Sequence, residues 1–203
     1  TLMRSSAASD VYKRQVSGKG VPASLFMAIT RSLFRTLSQH VLSPAKIVTE
    51  MNNSISDNNE SNMFVTLIVG ILDLETGILK LCNAGHNPPI LIYPDGQVSY
   101  LEFKTQIFVG VVEDFKYSDE EVVLEKESKL FLYTDGVTEA ENINKELYGE
   151  EKLLEMLSDN ASSDVRTTVN VVVDSIASHV KEAEASDDLT ILLIQYEPGT
   201  ANS

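Results

Sequence analysis

The sequence is short of the residues that make structural staples, redox centres and zinc sites. It has no tryptophan, one cysteine and three histidines among 203 residues. A single cysteine, Cys82, makes no internal disulfide, and no Cys/His cluster offers zinc-ligand spacing. Cys82 sits in the apolar segment Leu79-Lys80-Leu81-Cys82, so it reads as a small core residue rather than a nucleophile. No apolar run approaches the roughly 18 residues that a membrane-spanning helix needs. The first residues lack the charged, apolar and small-residue succession of a signal peptide, so a reducing cytoplasm is the expected location. Positive charge is scarce as well: 16 Lys and Arg stand against 30 Asp and Glu, for a net charge of −14. Such a surface repels phosphate backbones and anionic lipid, which argues against nucleic acid and membrane as partners. Abundant carboxylate is compatible with hard divalent cations, which take oxygen ligands.

What is present suits one soluble domain with a real core, at 43% hydrophobic and 23% charged residues. Residues 1–15 stand apart. Met3 to Ser9 shows no sustained period, and Lys13-Arg14-Gln15 runs abruptly into a glycine loop. This segment reads as disordered, a cloning scar or an assembly artefact, and is set outside the fold. After Ser17-Gly18-Lys19-Gly20, Pro22 opens a helix carrying Leu25, Phe26, Ile29, Leu33 and Leu37. Ser43-Pro44 starts a second, with Ile47, Val48, Met51 and Ile55 on its apolar face. Strands are predicted at 63–72, 78–83, 89–93, 97–101, 121–124 and 129–133, with hairpin turns at Asp73–Gly77 and Pro94-Asp95-Gly96. Two helices follow near 151–157 and 163–182, and Leu189–Tyr196 reads as a buried strand. The order predicts an α+β sandwich of antiparallel sheets between helical layers.

Chemistry has two candidate places. Asp135 follows the apolar strand Leu130-Phe131-Leu132-Tyr133-Thr134 and precedes Gly136, so a rigid element aims its carboxylate. Asp187-Asp188 stands at the entrance of the last strand. Both strands look too apolar for sheet edges. If they are antiparallel neighbours, Asp135 and Asp187 converge, and converging carboxylates are what Mg²⁺ or Mn²⁺ requires. A pair of such ions can clamp a phosphoryl group and generate a hydroxide nucleophile. The loop Ser17-Gly18-Lys19-Gly20-Val21-Pro22 could face an anion, but it lacks the P-loop spacing. His86, in Asn83-Ala84-Gly85-His86-Asn87-Pro88-Pro89, reads as a loop residue holding backbone carbonyls. Glu139 and Glu141 read as solvated acids.

Five segments together carry a resemblance. Val16-Ser17-Gly18-Lys19-Gly20-Val21-Pro22-Ala23, Phe64-Val65-Thr66, the Asn83–Pro89 loop, Leu132–Ala140 and Asp187-Asp188-Leu189-Thr190 are similar to segments of bacterial PPM-type metal-dependent protein serine/threonine phosphatases, of the SpoIIE/RsbU-like branch. The match runs from Val16 to about Tyr196. The resemblance implies a four-layer α-β-β-α sandwich with two Mn²⁺ or Mg²⁺ ions at one end of its sheets. It implies hydrolysis of phosphoserine or phosphothreonine by a metal-bound water, without a phosphoenzyme. By position, Asp135 and Asp187 match metal ligands and Val16 a backbone-carbonyl ligand; Gly136, Asp188, Ser17 and Gly18 support them. The implied substrate is a phosphorylated anti-sigma-factor antagonist, in a signalling protein whose full length carries an N-terminal sensor or receiver. The domain would occupy 16–197, with 198–203 as a tail. Two departures stand out. The family has Gly-Asp before Val-Ser-Gly-Lys-Gly, and that aspartate bridges both metals; here the residue is Gln15. Nothing in 1–14 matches the family's earlier Gly-Gly-Asp segment, so the first strands are expected to be missing.

Overall fold

The computed structural model describes residues 2–3, 8–16, 21–57, 59, 62–183 and 188–198. In chain order the elements are β1 (Leu2–Met3), β2 (Ala8–Val16), α1 (Val21–Leu37), α2 (Pro44–Ser56), β3 (Val65–Asp73), β4 (Ile78–Ala84), β5 (Ile90–Ile92), β6 (Val98–Tyr100), β7 (Glu120–Val123), β8 (Lys129–Tyr133), α3 (Glu150–Asp159), α4 (Val165–Val180) and β9 (Ile191–Gln195). They fall into two compact units that alternate along the chain. The first draws on 1–86, 103–123 and 198–203, the second on 87–102 and 124–197. Each holds one antiparallel sheet and two helices, which makes the architecture α+β as expected.

In the first unit the strand order is β1-β2-β3-β4-β7. The β3–β4 hairpin turns on Asp73, whose carboxylate accepts the N–H groups of Glu75 and Thr76. The Thr76 bond, then that of Glu75, holds the Asp73 carboxyl below its ordinary range. Ile47, Val48, Met51 and Ile55 of α2 are buried with Val65, Leu67 and Val69 of β3, the face that their helical spacing predicts. Each such side chain contributes about 1.5–3 kcal/mol on full burial. Ser43 caps α2 by accepting the Lys46 N–H, and Pro44 fills the first turn. Asp119, far along the chain, completes the cap by accepting from the Ala45 N–H and the Ser43 hydroxyl. Buried Asn52 pins the loop after Val109: it accepts the Gly110 N–H and donates to the Val112 carbonyl. Asn59 donates to the Gly110 carbonyl beside it.

Cys82 is fully buried in this core, and burial pushes its thiol up to about 12. Ellman's reagent is therefore expected to leave the native chain unlabelled and to titrate one thiol after denaturation. Native labelling at the denatured rate would contradict the placement.

The second unit has strand order β6-β5-β8-β9. Phe131 and Tyr133 of β8 pack with Leu153 and Leu157 of α3 and with Val172 and Ile176 of α4. Asp164 caps α4 by accepting the Arg166 and Thr167 N–H groups. At the start of β8, the buried Lys129 ammonium donates to the Ala161 and Ser163 carbonyls, tying the α3–α4 connection to the strand.

Two differences from the sequence reading are instructive. The last strand was expected to be fully buried and too apolar for an edge. Instead β9 lies at the end of its sheet, and of its five residues only Leu193 is buried, the rest half-buried. Aliphatic composition reports apolar surroundings, not the number of strand neighbours. Residues 1–15 were set outside the fold, yet the backbone of Ala8–Val16 forms β2 and pairs with β3 from Ala8↔Asp73 to Val16↔Val65. A ladder satisfies main-chain donors and acceptors whatever side chains they carry, so weak period-2 patterning does not prevent pairing.

Candidate active site

Asp135 owes its position to β8, all five residues of which are buried. The strand pairs antiparallel with β9 from Lys129↔Gln195 to Tyr133↔Ile191. Past the last pair, Thr134 continues the contact with its side chain. Its N–H donates to the Thr190 carbonyl at 3.1 Å. Its hydroxyl accepts the Thr190 N–H and donates to the Asp188 carbonyl, both at 3.2 Å. The chain then turns tightly: Val137 N–H bonds the Thr134 carbonyl, and Glu139 N–H bonds the Asp135 carbonyl at 2.8 Å. Asp135 is half-buried, and one of its carboxylate oxygens accepts the Gly136 N–H at 2.9 Å.

Gly136 is required by close approach. A Cβ there would lie 2.6 Å from the Asp188 carbonyl oxygen. The Asp135-Gly136 turn and Asp188 therefore meet at backbone level. That is the neighbouring, antiparallel arrangement on which the expected convergence depended. Asp188 itself is exposed, while Asp187 lies outside the described residues, as do Ser17 and Gly18. Tyr133, just before the turn, has its phenol pushed up by burial, so it brings no negative charge to the strand end. Glu139 is exposed, and Glu141 pairs with Lys145 at 2.8 Å.

The first unit, taken by itself, has a strand end of its own at the close of β2. Gln15 stands opposite Thr66 and Val16 opposite Val65, and Val65 also bridges Val109 on its other side. His86 is buried near this end. Its backbone is clamped by Asn83, which accepts the His86 N–H and donates to the His86 carbonyl. The Thr66 hydroxyl lies 3.3 Å from His86 Nδ1. Gly85 permits this loop through its φ of 75° and the Phe108 ring lying where a Cβ would be.

Sequence reasoning missed Thr134 and Asn83. Thr134 holds the two strand ends together with one hydroxyl, and its only signal was a polar residue ending an apolar strand. Asn83 fixes the His86 loop, and its signal was an Asn three residues before the residue it clamps.

Two antiparallel sheets, each with a helix pair, are the architecture shared with solved phosphatase domains of the PP2C type. The PP2C domain of SiaA from Pseudomonas aeruginosa superposes with a TM-score of 0.80 at 20% identity, over 95% of this chain and 81% of that one. The chain belongs to the Stage II sporulation protein E (SpoIIE) family, which it matches over residues 11–197. Phosphoserine phosphatase RsbU of Bacillus subtilis (strain 168) is 25% identical over 181 residues, 89% of this chain and 53% of that protein. The catalytic domain of the serine/threonine phosphatase PstP, solved with two manganese ions, gives a TM-score of 0.65 at 13% identity, over 95% and 92% of the two chains. The chain spans between 32% and 53% of the length of three curated relatives that it matches. Among the described residues no helix is long and apolar enough to cross a membrane.

The donor set can be tested against such a metal pair. Asp135 fits a hard divalent cation: it is a carboxylate on a rigid turn, and its second oxygen takes no hydrogen bond among the described residues. Gln15 is a neutral amide and brings no negative charge to a cation. Among the described residues no three His, Cys, Asp or Glu side chains gather where one ion could sit. The described residues by themselves do not make up a two-ion centre.

Proposed function

We propose that this domain, in its family-like form with an aspartate at position 15, is a cytoplasmic protein serine/threonine phosphatase. Its substrate is phosphoserine or phosphothreonine on a regulatory protein such as an anti-sigma-factor antagonist. The observation that carries the reading is the β8–β9 pairing, which sets Asp135-Gly136 against Asp188. The name of RsbU and the manganese ions of PstP support it. In that form Mn²⁺ or Mg²⁺ is the cofactor, held by Asp135, Asp187 and the Val16 carbonyl, with Gly136, Asp188, Ser17 and Gly18 in support. The catalytic domain spans 16–197, downstream of a sensor or receiver in the full-length protein.

The test is Mn²⁺-dependent phosphate release from a phosphoserine peptide. The chain as written is assayed beside a restored chain that carries Gln15→Asp and a family-like segment in place of 1–14. Turnover confined to the restored chain supports the reading. A restored chain that folds and binds Mn²⁺ yet releases no phosphate overturns it.

Gln15 favours a second reading for the chain as it stands: a phosphatase-fold module that binds a phosphoprotein without hydrolysing it. Retention of the phosphoprotein on the immobilised chain, unchanged by EDTA, is the expected result for that module.

A further inference from the structure

We propose that the outer edge of β9 binds an extended protein segment with apolar residues in its middle and lysine or arginine at both ends. The segment adds to the β6-β5-β8-β9 sheet as one more strand. Main-chain direction is the first argument. Thr134 N–H donates to the Thr190 carbonyl, and Tyr196 N–H donates to the Ser128 carbonyl. Thr190 and Tyr196 therefore turn these main-chain groups toward β8. Such groups alternate sides along an antiparallel strand, so Ile191, Leu193 and Gln195 turn theirs away from β8. β9 ends its sheet, and among the described residues no strand pairs with it on that side. Three N–H donors and three carbonyl acceptors thus form the kind of row to which an added strand bonds.

The other sheet ends are guarded in ways that β9 is not. β1 is two residues long and β6 three. β7 carries Glu120 and Glu121, the latter paired with Lys80 at 2.8 Å. Short length and charge are ordinary means of keeping an edge from pairing. β9 has five residues, Ile-Leu-Leu-Ile-Gln, with no charge and no proline among them. Leu189, just ahead of it, is 39% exposed. Charge decides the occupant. Asp188 ahead of the strand and Glu197 behind it are both exposed, on a chain of net charge −14. A second copy paired antiparallel about Leu193 would bring the Asp188 end of one strand beside the Glu197 end of the other, acid against acid. A segment with basic ends instead meets an acid at each end of β9.

The experiment titrates the intact chain into a fluorescein-labelled peptide, Lys-Lys-Val-Thr-Val-Thr-Val-Lys-Lys, and reads anisotropy. A second peptide has glutamate in place of every lysine. A third keeps the lysines and is N-methylated at its valines and threonines, which removes the donors and keeps the charge. The expected result is saturable binding of the first peptide and binding weaker by about tenfold or more for the other two. Hydrogen exchange should slow within 189–197 when the first peptide is bound. Attraction by net charge alone would leave the N-methylated peptide as tight as the first and overturns the proposal. So does the absence of binding, or protection that falls outside 189–197. A dimer, seen by light scattering, that protects 189–197 and resists the peptide assigns the edge to a second copy and also overturns it. None of these readouts involves turnover, so the proposal stands or falls independently of the phosphatase reading.

Discussion

Asp135→Asn in the restored chain is expected to lower Mn²⁺-dependent phosphate release at least about a hundredfold, which corresponds to about 2.7 kcal/mol of barrier. The substitution removes a charge and little else. The asparagine oxygen still accepts the Gly136 N–H, and the side chain is only half-buried. Stability should consequently hold, with the melting temperature within about 2 °C of the parent. That combination distinguishes a ligand from a structural residue. A variant that keeps most of its turnover would remove Asp135 from the reaction, and one that loses turnover only because it unfolds would leave the role unsupported.

Gly136→Ala should act in the opposite manner, through geometry and not charge. The new methyl would meet the Asp188 carbonyl oxygen at 2.6 Å and its carbon at 3.1 Å. Both atoms are main chain, and the Thr134 hydroxyl is bonded to that same carbonyl, so relief requires the β8 and β9 ends to separate. Overpacking of this kind costs about 1–3 kcal/mol. For a chain of this size each kcal/mol lowers the melting temperature by about 2–4 °C. Circular dichroism melts check the prediction, and an unchanged melting temperature would show that the two strand ends are not held together as described.

Most of the regular structure was legible because local pattern and burial agree. The run at β8 is bounded as predicted, at Lys129 and Tyr133, since every residue in it is buried. The apolar face of α2 was readable from the spacing of Ile47, Val48, Met51 and Ile55. What escaped depends on partners distant in sequence. Nothing near Asp119 announces that it caps a helix beginning at Pro44, and nothing near Asn52 announces a loop at Gly110. The edge position of β9 escaped for the same reason, because neighbour count is a property of the sheet. At the candidate site the sequence located Asp135 past the end of β8 and Asp188 ahead of β9, while its other expected ligand, Asp187, lies outside the described residues. The hydroxyl of Thr134 that joins those ends became visible only once the β8–β9 register was known.

The alternation of the two units along the chain bears on how the protein is made. As synthesis proceeds, the β5–β6 hairpin emerges before β7, the outermost strand of the other sheet. That hairpin must then wait for β8, and β8 for β9, the last strand among the described residues. Neither sheet can be released as a finished piece by a single cut, because each unit includes chain from both sides of the other's segments. Halves expressed separately would each lack strands, whereas paired fragments split in the loop between β6 and β7 would have to exchange strands to recover both sheets.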